Sequence, residues 1–171
     1  MKNYPLILVG LLLFSTTALA LEKTAPKTLN DVHQRVQQVV PYTLDQVRQS
    51  FTKTVHGGVQ HVVAKSADDT RQIKLIQAHL SEIANQFRKG DFSVTERMHG
   101  ADMPGLARLK TAKTDDIRFE YKVLDNGAQI HYSTEYPQFV QALHEWFDAQ
   151  ISEHGSDVLP EHVKHHQTPA E

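Results

Sequence analysis

Between residues 66 and 90 the apolar positions recur every three or four residues: Ile73, Ile76, Leu80, Ile83, Ala84 and Phe87. This period predicts an amphipathic helix. Ser66, with Asp69 three residues on, supplies a start signal, a capping box with Asp where Glu is usual. Gly90 is a natural stop. A second helical stripe, Phe139, Val140, Leu143, Phe147 and Ile151 with Trp146 on its flank, starts near Pro137, a favourable first-turn residue. Gly155 closes it.

Between these helices the period changes to two. Ile117, Phe119, Tyr121 and Val123 alternate with polar residues, as do Ala128, Ile130 and Tyr132. Asn126-Gly127 joins the two runs and predicts a hairpin with a type I′ turn. A two-residue turn there sets Val123 opposite Ile130 and Tyr121 opposite Tyr132, with all the apolar side chains on one face. Upstream, Val59, Val62 and Val63 predict a strand, with a bulge or bend at Gly57-Gly58. Residues 91–115 read as irregular, with a short helix over 104–110. Residues 29–51 carry a helical period (Leu29, Val32, Val36, Val39, Val40, Leu44, Val47, Phe51) interrupted at Pro41, which predicts two helices or one kinked one.

The order β-α-(α)-β-β-α predicts a small α+β fold, one sheet with helices packed on one face, preceded by an N-terminal helical arm. The expected divisions are a signal peptide at 1–20, leader and arm at 21–53, a single core domain at 54–155 and a flexible His-rich tail at 156–171.

The first division comes from a different pattern. Lys2 precedes a nearly unbroken apolar run over 6–14, and Ala18-Leu19-Ala20 places small residues where a signal peptidase reads. The run is shorter than the roughly 20 residues that span a bilayer, so it predicts a cleaved secretory signal, with cleavage after Ala20 and a periplasmic protein without a membrane anchor.

Composition then narrows the chemistry. The 171 residues hold no Cys, so neither disulfides nor thiolates contribute. A formal net charge of −2 leaves no basic excess for nucleic acid. The 11 histidines are the anomaly. No G-x-S-x-G, H-E-x-x-H or glycine-rich phosphate loop occurs, so an enzyme ranks last among the functional readings.

The segments "HGGVQHVVAK", "MHGADMPGLARL" and "ALHEWFDAQISEHG" resemble a group of short exported proteobacterial proteins, over most of residues 54–155. Some of that group go by the name aspartate carbamoyltransferase. The Ser-Thr-Arg-Thr carbamoyl-phosphate loop of that enzyme has no counterpart in this chain. The resemblance therefore implies an exported core domain and no reaction.

Within "MHGADM", Met98, His99 and Met103 offer two thioethers and an imidazole. Thioether with imidazole suits Cu(I), while imidazole with carboxylate suits Cu(II) or Zn(II). A structural role fits the same stretch. Asp102 can cap the short helix by accepting the N–H of Gly105, Pro104 suits its first turn, and the methionines can fill core gaps. His56 and His61 point to opposite faces of a regular strand, and the Gly57-Gly58 bulge would bring them together as further ligands. In the tail, His162 and His166 stand at i, i+4 and could share an ion if helical. His144 and Asp148 stand at i, i+4 too, which ordinarily makes a surface pair. His79 flanks a helical stripe without a role.

The leading expectation is a periplasmic protein binding a transition metal, copper first, with zinc or haem as alternatives. Its candidate ligands are Met98, His99 and Met103, then His56 or His61, with His162 and His166 auxiliary. The other expectation, from a different class, is a non-catalytic interaction module that docks a periplasmic partner through the 29–51 arm.

Overall fold

A computed structural model describes residues 29–154. The expected signal peptide and leader, and the tail with His162 and His166, lie outside the described residues. Helix α1 (Leu29–Val39) leads through a single 3₁₀ turn into strand β1 (Val47–Thr54), and a tight turn returns the chain as β2 (Gly57–Ala64). Then come α2 (Thr70–Arg88), α3 (Ser93–His99), α4 (Leu106–Leu109), β3 (Arg118–Leu124), β4 (Gly127–Ser133) and α5 (Pro137–His154). The four strands form one antiparallel sheet in the order β1-β2-β4-β3.

The sheet buries one face. Val47, Gln49 and Phe51 pair with Ala64, Val62 and Gln60, and of these Val62 and Gln60 pair onward with Ala128 and Ile130. Phe119 and Tyr121 continue this face on β3. Helix α2 covers β2, β3 and β4, and α5 covers β1 and β2. The α+β fold and its one-sided helical layer are as the periodicity predicts. The other face carries Ser50, His61 and Gln129 in one cross-strand row and His131 and Glu120 in the next, a polar outer face of the ordinary antiparallel kind.

Several expectations are corrected. The segment 47–51, read as helical, is the first part of β1. Its Val47 and Phe51 fit a helical period, but the buried positions alternate as Val47, Gln49, Phe51, and the polar Gln49 hides the strand. The core therefore starts well before residue 54. Val32, Val36, Tyr42 and Leu44 are all buried in it, so the arm is packed on the core.

Helix α2 is capped by Asp69, which accepts the Gln72 N–H at 3.0 Å, and not by Ser66. The Gln72 side chain reaches the linker after α1. Its Nε2 donates to Thr43 Oγ1 at 2.9 Å, and its Oε1 accepts the Thr43 N–H at 3.1 Å. This pair of hydrogen bonds fixes α1 and its linker to α2.

The second hairpin is shifted by two residues from the expected register. Tyr121 faces Ile130, Val123 faces Ala128, and the turn residues are Asp125-Asn126. Neither has a positive φ, so the turn is not type I′. Gly127 serves a different need. A Cβ there would lie 2.1 Å from the Val62 carbonyl oxygen, so glycine lets β2 approach β4. A shift of two preserves the face of every side chain, so Phe119, Ala128, Ile130 and Tyr132 are buried as expected, while Val123, near the end of β3, is 55% exposed.

Gly57-Gly58 makes no bulge. Strands β1 and β2 pair one to one from Val47↔Ala64 to Thr54↔Gly57. A Cβ on Gly58 would meet the Phe147 ring at 2.3 Å, so this glycine seats α5 directly on the strand.

Residues 93–99, read as irregular, form α3. Val94, Thr95, Met98 and His99 are its buried side. Two of its first three residues are β-branched, a weak local signal for helix that burial overrides. The N-cap of α4 is Gly105, at φ 77°, so Asp102 does not occupy the N-cap position expected of it.

Candidate functional site

The buried face of α3 meets α1, α2, α5 and the sheet around a small cleft. Val36 and Val40 form the α1 wall, and His79, Leu80, Ile83 and Phe87 the α2 wall. Thr95, Met98 and His99 come from α3, Trp146 and Gln150 from α5, and Gln49 and Gln60 from the sheet floor beside Tyr42. Its volume is about 40 Å³, room for about three waters at roughly 10–15 Å³ each. Among the described residues, no Lys, Arg, Asp or Glu lines it.

His99 is 1% exposed. Its Nδ1 is 2.5 Å from Glu153 Oε2, near the end of α5. Carboxylates in this position fix the tautomer and orientation of metal-bound imidazoles elsewhere. From α1, Arg35 Nε donates to the Met98 carbonyl at 3.0 Å, a basic side chain on the last turn of a helix. Helices α1, α3 and α5, which carry Arg35, then Met98 and His99, then Glu153, are thus tied at one corner. Met103 is buried in the turn that follows α3 and does not line the cleft.

The other sequence candidates lie elsewhere. His61 is on the outer face of the sheet, with Nε2 at 3.0 Å from Gln129 Oε1 and Nδ1 at 3.5 Å from Ser50 Oγ. His56 is exposed in the β1–β2 turn beside Val55, which is 85% exposed. His56 lines a groove with Pro137, Val140 and His144 of α5, and neither His56 nor His61 lines the cleft that holds His99. Among the described residues no group of three or more His, Asp or Glu side chains gathers in a way that would hold a metal. His144 and Asp148 do not pair with each other. His144 Nε2 lies 3.0 Å from the carbonyls of both Thr54 and Gly57, bracing the first hairpin turn, and Asp148 pairs with Lys53.

Four residues to which the sequence assigns no site role belong to the cleft: His79, Gln49, Gln60 and Trp146. Trp146 is 3% exposed and its Nε1–H has no acceptor among the described residues. The buried stripe of α5 is Phe139, Ala142, Leu143, Trp146, Phe147 and Gln150, with Ile151 exposed. Starting the stripe at Phe139 and stepping by three and four finds Trp146 at its centre. Gln60 Oε1 accepts the Tyr132 hydroxyl proton at 2.7 Å, and burial pushes that phenol's pKa up.

Burial lowers the pKa of His79 from 6.5 to about 4, so the imidazole facing the cleft is neutral at pH 7. The unfolded chain takes up this proton near pH 6.5 and the folded chain does not. The stabilisation is complete above pH 6.5 and is lost as the pH falls toward 4. Between pH 7 and 5 the loss is about 2 kcal/mol, from 1.36 kcal/mol per pH unit. Urea unfolding of wild type and His79→Leu at both pH values checks it. The wild type is expected to lose about 2 kcal/mol more than the variant; equal losses would contradict the assignment.

No helix among the described residues is long and apolar enough to cross a membrane. No family model, no curated protein and no solved structure matches this chain.

Proposed function

We propose that this chain is an exported periplasmic binding protein for a transition metal, copper first, held at the α3 wall of the cleft by Met98 and His99. What supports this is one juxtaposition: a thioether and a carboxylate-oriented imidazole line the same buried, ion-sized cleft. Soft donors without a carboxylate in the lining favour Cu(I) over harder divalent ions, which places zinc second. Haem, with its pocket of roughly 300 Å³ or more, does not fit a cleft of about 40 Å³. His56 and His61 drop out of the ligand set by position, and Met103 contributes packing. Docking through the 29–51 arm would have to use the polar side of α1, because Val32 and Val36 are buried against the chain's own core.

The test is metal content after export, in protein purified without a metal-affinity tag and carrying His162→Ala and His166→Ala so that the tail holds nothing. Near-stoichiometric copper is expected, falling to background in His99→Ala and weakening in Met98→Leu. A folded protein that takes up neither copper nor zinc would refute it.

A further inference from the structure

Trp146 presents an unmet need. Its indole N–H is buried at the cleft with no acceptor among the described residues, and a buried donor without a partner is unfavourable unless water or a ligand meets it. The side chains around it are polar but uncharged. Gln49 and Gln60 come from the sheet and Gln150 from one turn further along α5. Side-chain amides both donate and accept, so they complement a molecule that does the same.

We propose that the α5 and sheet side of the cleft binds a small uncharged molecule with a hydrogen-bond acceptor, of the size and polarity of a primary amide, with Trp146 Nε1–H donating to that acceptor. An anion is disfavoured there because, among the described residues, no Lys or Arg lines the cleft to compensate its desolvated charge. His79, held neutral by burial, adds no charge either. The volume of about 40 Å³ limits the ligand to a few non-hydrogen atoms. This site does not rest on the metal at the α3 wall, and each can fail without the other.

Trp146 is the only tryptophan, so the ¹⁵N-labelled full chain gives a single indole N–H resonance, which reports the atom in question. Acetamide and acetate serve as probes, because they share shape and heavy-atom number and differ in charge. Acetamide is expected to shift the resonance saturably at millimolar concentration, while acetate at the same concentration leaves it in place. Gln49→Leu is expected to weaken the acetamide response at least five-fold. The proposal is overturned by a resonance that acetamide does not move saturably (a cleft holding water only), by acetate acting as acetamide does, or by folded Gln49→Leu responding as wild type. The comparison of the two probes on the wild-type chain decides the matter even where Gln49→Leu does not fold.

Discussion

A chain beginning at residue 54 is expected not to fold. It lacks β1, which pairs with β2 over eight residue pairs. It also lacks Val32, Val36, Tyr42, Leu44, Val47 and Phe51, all buried in the core. Burying one such side chain contributes about 1.5–3 kcal/mol, so the six together exceed about 9 kcal/mol. The whole stability of a domain is only about 5–15 kcal/mol. The truncation also uncovers β2 as an unpaired edge, a template for aggregation, and removes Thr43 from the Gln72 clamp. Circular dichroism and proton chemical-shift dispersion of residues 54–154 beside 29–154 test this. A cooperative unfolding transition in the shorter chain would contradict it.

Gly105→Ala is expected to cost about 3–4 kcal/mol, about 10 °C or more in Tm. Two separate effects add. Gly105 sits at φ 77°, a left-handed conformation that costs an L-residue with a Cβ about 1–2 kcal/mol. Its Cβ would also lie 2.1 Å from the Ala142 carbonyl oxygen and 3.0 Å from the Trp146 backbone nitrogen. Both are backbone atoms of α5 that cannot turn aside, and such overpacking costs about 1–3 kcal/mol. Gly90 is the control. It has a similar φ of 73°, and a methyl group added there would meet nothing within 4 Å. Gly90→Ala should therefore show the backbone cost alone. Equal losses for the two variants would mean that α4 and α5 are not packed as closely as described.

Gly105 also shows what the sequence could disclose. In "MHGADMPGL" the visible signals are Asp102 and Pro104, and both point to a capped helix start. The operative residue is the glycine, required by the approach of α5, an element some forty positions away. The long helices are legible because their apolar period reports burial on one side, and α2 and α5 stand close to where it puts them. The faces of the second hairpin are legible for the same reason, although Gly127 serves the contact with Val62 and not the turn. β1 is obscured because its buried middle position is Gln49, which leaves Val47 and Phe51 to mimic a helical i, i+4 pair. The cleft is illegible as a whole. His79, Gln49 and Trp146 come from different elements, and no local pattern reports that they share one space. His99 is visible as a residue type; its partner Glu153, 54 residues away, is not.

The most direct measurement is a Cu(I) titration of the full chain under reducing, anaerobic conditions, followed by the emission of Trp146, the only tryptophan. Copper in the cleft is expected to quench this emission to a plateau at one equivalent in wild type, with the quench abolished in His99→Ala. Emission that copper leaves unchanged, or a quench that His99→Ala does not alter, would show that the metal does not bind where Met98 and His99 meet.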